Sequence, residues 1–283
     1  MSVVGVAGAG VMGIGVTQNL AQTGHRVVLV DTEQQVLDAA LQKIEAQLRM
    51  SRMLGGPAVD TAAAMALIST GVDPKALAEV DFVIENIPER WDLKRALYLE
   101  MDRICDPATV FVVNTSAIPI TEFAAVTGRP EQLVGVHFMN PVPMKTAVEL
   151  IAGEHTSAET VRRTRELLNA MGKKAIDVKD VCGFVSNRVL MLTVNEAAFL
   201  VHQGVATAEA VDEVFRSCFG HPMGPLETAD LIGVDTILHS IDVLYQHYRD
   251  SKYRPCPLLR TMANAGRHGR KSGRGFYEYG PTA

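Results

Sequence analysis

His137 ends the strand-like run Leu133-Val134-Gly135-Val136-His137. The proline loop Asn140-Pro141-Val142-Pro143 follows, and Glu149 sits inside the next β-like run, 12 residues beyond the histidine. The midpoint between the two is Pro143, so a symmetric hairpin across the loop sets imidazole and carboxylate side by side. A carboxylate there orients the ring and steadies the imidazolium that forms when the ring takes a proton. That is general-base chemistry at neutral pH. The same residues also read as a buried polar pair closing a hairpin, since structural histidines are common.

A second cluster opens the chain. Gly8-Ala9-Gly10-Val11-Met12-Gly13 is G-x-G-x-x-G; it follows the apolar run VVGVA, starts a helical segment that ends at Gly24, and precedes a second apolar run finishing in Asp31, 18 residues after Gly13. Glycines allow a tight turn and close backbone approach to a pyrophosphate, the helix N-terminus offers free N–H groups, and the carboxylate binds ribose hydroxyls. Gly8, Gly10, Val11, Met12, Gly13 and Asp31 are therefore expected to hold a dinucleotide. Asp31 repels the extra phosphate of NADP, and Thr32 and Glu33 supply no cation, although Arg26 could fold over; NAD is the expected cofactor. A nicotinamide enzyme that oxidises an alcohol needs a base, and His137 suits that task.

The elements that must position these groups alternate. β-branched runs and longer periodic segments fill the first 180 residues, with further strands expected at 66–70, 81–85, 109–114, 133–138, 146–151 and 174–178 and helices near 90–104 and 157–171. From Phe184 the strand signal stops, and helices are expected over 184–203, 207–218, 225–249 and 256–265. The fold class is α/β: an N-terminal Rossmann-type doubly wound sheet over 1–181, followed by an all-α C-terminal domain over 182–283. Long apolar faces, Val189–Leu192 and Leu238–Tyr245, exceed what a small bundle needs, which fits a homodimer through the helical domain.

Composition closes off other classes. A net charge of −5 without a basic stripe argues against nucleic acid. No apolar run reaches membrane-spanning length, the N-terminus lacks a signal-peptide pattern, and Cys105, Cys182, Cys218 and Cys256 are too scattered for a zinc site or disulfide frame. A cytoplasmic protein with no metal and no membrane partner is expected.

The motifs GAGVMG, VIENIPER with WDLK, NTSAIPIT, GVHFMNPVP with its downstream Glu, GFVSNRV, GHPMGPLE, SKYRP and GRKSGRGFYEY run through nearly the whole chain. In them the sequence resembles the L-3-hydroxyacyl-CoA dehydrogenases, especially the short 3-hydroxybutyryl-CoA dehydrogenases of fatty acid metabolism. The resemblance implies that His137 and Glu149 are the catalytic pair and that Ser116 and Asn187 contact the substrate. It also places Glu89, Lys94 and Asn114 on the cofactor side and Asn140 along the site. The residues themselves leave alternatives open. Ser116 or Thr115 could cap a helix before Ile118-Pro119, Asn187 could be an ordinary first-turn residue, and Lys94 could lie on a solvated helix face.

Three departures from the family pattern concern the substrate. Lys145 stands one place earlier than usual after NPVP, and Ala117 replaces a serine. The segment after the long helix is poor in lysine, leaving Arg49, Arg52 and the more distant Lys43 to receive coenzyme A phosphates. A thioester on an acyl carrier protein, with one phosphodiester, is the second reading, as in a branch of the family that makes polyketide extender units. A non-catalytic structural or carrier-binding protein on the same fold is the rival from another class. The lysine-dependent β-hydroxyacid dehydrogenases require a lysine where Arg188 stands.

Overall fold

The structure is a computed structural model that describes residues 2–53, 59–116 and 118–280, with no side-chain detail for 51–53. It contains two compact units, one ending at Asp180 and one beginning at Val181. No helix among the described residues is long and apolar enough to cross a membrane.

In chain order the first unit holds β1 (Val3–Ala7), α1 (Val11–Gln22), β2 (Arg26–Val30), α2 (Gln34–Met53), α3 (Thr61–Met65), β3 (Ile68–Gly71), β4 (Phe82–Glu85) and α4 (Trp91–Ile104). It continues with β5 (Val110–Val113), α5 (Ile120–Ala124), β6 (Leu133–His137), β7 (Ala147–Ala152), α6 (Ala158–Ala170) and β8 (Lys174–Lys179). The strands form one sheet in the order β3-β2-β1-β4-β5-β6-β7-β8. β1 to β6 are parallel, β7 turns back antiparallel to β6, and β8 runs parallel to β7. β4, β5 and β6 are buried at every position, as expected of parallel strands covered on both faces, which explains why they read as continuous apolar runs. The expected strand at Ala66 starts two residues later, because Asp60 caps α3 by accepting from the N–H groups of Ala62 and Ala63.

The order reverses between β1 and β4, so the carboxyl ends of these strands open a crevice there. The glycine turn lies on it. Gly8 has φ +97°, and a Cβ on Gly13 would stand 1.8 Å from the Gly8 carbonyl oxygen, whereas a Cβ on Gly10 would meet nothing within 4 Å. Gly8 and Gly13 thus make the turn, and Gly10 leaves open space. Arg26 is the first residue of β2 and Asp31 directly follows its last, so the two lie at opposite ends of a strand roughly 16 Å long. The idea that Arg26 folds over Asp31 is corrected by that distance.

The second unit holds α7 (Ser186–His202), α8 (Ala208–Phe219), α9 (Pro225–Ile232), α10 (Val234–Tyr248) and α11 (Pro257–Asn264). The single helix expected over 225–249 is two. Gly233, at φ +111°, breaks it while the apolar period runs on across the break. Ile237, Leu238, Ile241 and Leu244 are buried, so the apolar face of 238–245 is largely consumed inside this unit. α9 has no capping side chain of its own. Asp212 of α8 supplies the cap, accepting from the N–H groups of Leu226 and Glu227 at 2.9 and 2.8 Å, while Asp230 accepts from those of Phe276 and Tyr277 at 2.9 Å and pins the C-terminal GFYEY segment.

The two glycine environments predict opposite outcomes. Gly13→Ala should lower the unfolding free energy by on the order of 3 kcal/mol, because backbone must move, whereas Gly10→Ala should stay within about 0.5 kcal/mol of the parent in urea denaturation. Equal effects would contradict the turn geometry.

Candidate active site

His137 and Glu149 face each other on the last rung of the antiparallel β6–β7 ladder, where the pairing stops. Both residues are 6 % exposed, and His137 Nδ1 lies 2.7 Å from Glu149 Oε2. An ionised carboxylate can only accept, so Nδ1 is the donor and the neutral ring carries its lone pair on Nε2. Ser116 Oγ lies 3.2 Å from that Nε2. The arrangement offers one basic nitrogen and one hydroxyl to a group placed between them.

Ser116 is aimed by the loop that follows β5. Glu89 Oε1 accepts from the Ser116 N–H at 3.0 Å and from Thr115 Oγ1 in a short bond, and Thr115 Oγ1 accepts from the Ile118 N–H at 3.0 Å. The alternative that Ser116 or Thr115 caps this turn is answered by the Thr115 bond to the Ile118 N–H, just ahead of α5. α5 is capped from a distance by Asp180, which accepts from the N–H groups of Ile120 and Thr121 at 2.7 and 2.9 Å.

Lys94 was expected on the cofactor side or on a solvated helix face. It is fully buried, which removes the solvated-face alternative, and its ammonium donates to Glu85 at 2.9 Å, to Glu89 at 3.0 Å and to the Asn114 carbonyl at 2.9 Å. Its three N–H donors are thereby engaged by protein acceptors. Two carboxylates share one cation here. Burial pushes the Glu85 carboxyl up to about 7 despite Lys94; Glu89 is also desolvated, but Lys94 and the Thr115 and Ser116 bonds hold its carboxyl below the usual range. Burial works against the Lys94 charge too, yet the two carboxylates outweigh it and raise its pKa. Glu85 and Tyr98, whose hydroxyl lies 3.4 Å from Glu85, carried no sequence signal beyond strand and helix periodicity.

On the dinucleotide side, Gly10 caps α1 without a side chain, leaving the first-turn N–H groups of a 12-residue helix without a side-chain cap. Val11 is 70 % exposed and Met12 half-buried at this mouth. Asp31 Oδ2 accepts from the Ala9 N–H at 2.7 Å and Oδ1 from the Thr32 N–H at 2.8 Å, so the carboxylate holds the turn and keeps lone pairs for ribose hydroxyls. These features fit a dinucleotide. Asn114 ties neighbouring strand ends together: its Nδ2 donates to Asn86 Oδ1 at 2.7 Å, and its Oδ1 accepts from the Phe138 N–H at 3.3 Å.

The expected substrate residues are more dispersed. Asn140 is exposed at the start of the proline loop, and Asn187 is half-buried in the first turn of α7 in the second unit. Arg49 lies on the exposed face of α2 with its Nη2 2.5 Å from Glu45. The Arg52 side chain and Ala117 lie outside the described residues. Lys145 is exposed and precedes β7 rather than lying in it, so its shift by one place does not move it between strand faces.

Two family descriptions match. The NAD binding domain of 3-hydroxyacyl-CoA dehydrogenase matches residues 3–181, and the C-terminal domain of 3-hydroxyacyl-CoA dehydrogenase matches 183–279. A probable 3-hydroxybutyryl-CoA dehydrogenase of Bacillus subtilis is 46 % identical over 275 residues, covering 97 % of this chain and 96 % of the relative. The crystal structure of FadB2 from M. tuberculosis superposes with a TM-score of 0.94 at 36 % identity and 98 % coverage of both chains. That of (S)-3-hydroxybutyryl-CoA dehydrogenase PaaH1 from Ralstonia eutropha gives 0.93 at 40 % identity, covering 99 % of this chain and all of that one.

The buried carboxylates carry a pH signature. Glu85, at about 7 when folded against 4.5 ordinarily, keeps a proton that the unfolded chain has lost between those values. Its contribution to stability is therefore full at low pH and is lost as pH rises from about 4.5 to 7. Glu89 works in the opposite sense, its contribution being lost as pH falls below 4.5 toward its lowered pKa. Unfolding free energies of Glu85→Gln minus parent should rise between pH 4.5 and 7; a flat difference would place the proton elsewhere.

Proposed function

From the premise that this chain belongs to the 3-hydroxyacyl-CoA dehydrogenase family, we propose that His137, oriented by Glu149, is the base of its alcohol oxidation. The chain is an NAD-dependent oxidoreductase acting on CH–OH, interconverting 3-hydroxyacyl and 3-oxoacyl thioesters. NAD, when bound, takes up the hydride that leaves C3 in oxidation. His137 Nε2 takes the hydroxyl proton as the C3–H bond breaks and the carbonyl forms, and Glu149 steadies the resulting imidazolium. Ser116 holds the reacting oxygen beside Nε2. Asn187 is assigned to the substrate by its place in the GF-x-x-N motif. The observation that carries the reading is the 2.7 Å contact between Nδ1 and Glu149, which leaves Nε2 basic and turned toward Ser116. Because oxidation releases a proton, rising pH favours the ketone.

We assign a coenzyme A thioester as the substrate, in line with the names of the relatives, and keep an acyl-carrier-protein thioester as the second reading. The latter is supported by the cation-poor segment around Arg49. We further assign a cytoplasmic location, which the scattered cysteines of the sequence suit, and a homodimer through the helical unit, where Val185, Val189, Phe219 and Leu231 are exposed. Sedimentation at the monomer mass would remove the dimer. A non-catalytic role on this fold would leave no need for a buried histidine-carboxylate pair beside a serine.

His137→Gln should abolish NADH formation from 3-hydroxybutyryl-CoA while NAD affinity stays within about twofold; retained turnover removes the base. Glu149→Gln should lower kcat by roughly a hundredfold at similar cofactor affinity, the range for losing a base or its orienting partner. Rates on 3-hydroxybutyryl-CoA and on the same acyl group held by a carrier protein decide the carrier. A higher kcat/KM on the carrier protein would replace the coenzyme A reading.

A further inference from the structure

Lys173 follows α6 and directly precedes β8. It is 4 % exposed, and among the described residues its ammonium makes no ion pair. It donates instead to two backbone carbonyls, Val142 at 2.6 Å and Lys145 at 2.5 Å. Both belong to the loop between His137 and Glu149. Pro141 and Pro143 have no N–H, and the loop's own closing bonds are Met144 N–H to Pro141 O at 3.1 Å and Lys145 N–H to Val142 O at 3.3 Å. The lysine supplies donors that the prolines cannot.

The same loop touches the nucleotide side. Val142 is 1 % exposed and packs on Gly15 of α1, where a Cβ would stand 3.1 Å from it. α1 begins at the glycine turn, so the loop both rests on the helix that would receive a pyrophosphate and is tied by Lys173. Burying an ammonium against carbonyls alone is costly, and desolvation lowers its pKa. For packing alone, an apolar side chain of similar length would serve at less cost.

Resting on the reading of His137 as base, we propose that Lys173 is a positioning residue, whose grip on the Val142 and Lys145 carbonyls keeps the His137–Glu149 rung in register beside the glycine turn. The substrate does not touch it in this role. Its removal loosens the loop and misplaces Nε2 relative to the reacting oxygen.

The test compares the parent, Lys173→Met, Lys173→Arg and His137→Gln on 3-hydroxybutyryl-CoA carrying protium or deuterium at C3, with NADH affinity measured by titration. Misplacing a reacting group by about 1 Å costs up to ~100-fold, so Lys173→Met should lower kcat about tenfold or more. The KM for thioester and the Kd for NADH should stay within about twofold, and the isotope effect on kcat should rise as hydride transfer becomes limiting. Lys173→Arg, which keeps N–H donors, should recover part of kcat. The isotope effect reports only active molecules, so a partly unfolded preparation does not hide it; should Lys173→Met not fold at all, Lys173→Gln is read in its place. Parental kcat and isotope effect in a folded variant, or a loss of kcat matched by loss of NADH affinity, overturns the proposal. If His137→Gln is inactive in that experiment, the base reading survives the failure; if it turns over, both fall.

Discussion

A carboxylate has no proton to give, and that asymmetry orders the site. Because Glu149 can only accept, the histidine proton stays on Nδ1 and the basic lone pair on Nε2. A free imidazole divides its population between tautomers and rotates; here the last rung of a β-ladder holds ring and carboxylate at one separation. Both groups are almost fully removed from water, where an unpaired carboxylate would be costly and a charge-assisted bond contributes roughly 1.5–3 kcal/mol. Burial and orientation come from the same contact. β7 must therefore run antiparallel to β6 in an otherwise parallel run of strands, since a parallel neighbour would need a long crossover in place of the proline loop.

The Glu85–Lys94–Glu89 cluster does for Ser116 what the ladder does for His137. One cation between two carboxylates leaves an excess negative charge in a dry place, and the chain answers it in two ways. Glu89, partly open to solvent, stays charged with help from Thr115, Ser116 and Lys94; Glu85, fully enclosed, is pushed toward its protonated form by burial. Buried ion pairs of this kind are weak contributors to stability, because desolvation offsets the Coulomb gain. Their effect here is geometric: the Lys94 ammonium binds the end of β4, the residue at the end of β5 and the Glu89 loop to one point. Asn114 then links that point to Phe138, the residue after the histidine.

What the sequence revealed follows the range of the forces involved. The glycine turn, the strands and the histidine hairpin are written in residues close in the chain, so their spacing was readable. Glu85 and Lys94 are nine residues apart and look like a strand residue and a helix residue; only the docking of α4 against the sheet makes them partners. Asp180 and Asp212 cap helices they do not belong to, so no capping signature lies next to α5 or α9. Gly233 divides a helix whose apolar period continues on both sides, and period alone cannot report a break that preserves phase. Lys173 carries no sequence signal, because an isolated lysine after a helix resembles any solvated C-terminal cation.

The carrier question turns on the same comparison of burial with exposure. Arg49 sits 2.5 Å from Glu45, which at first suggests that its charge is spent. Both side chains are largely exposed, 69 % and 42 %, and a pair in that setting contributes at most about 1 kcal/mol. A phosphate dianion offers Arg49 a stronger, bidentate partner, so the contact with Glu45 does not withhold it. Lys94 is the opposite case: its charge is locked in a dry network and cannot be recruited. Arg49 is thus open to a phosphate of coenzyme A because its pairing is exposed, and it is exposure rather than pairing that decides which of these cations a ligand can use.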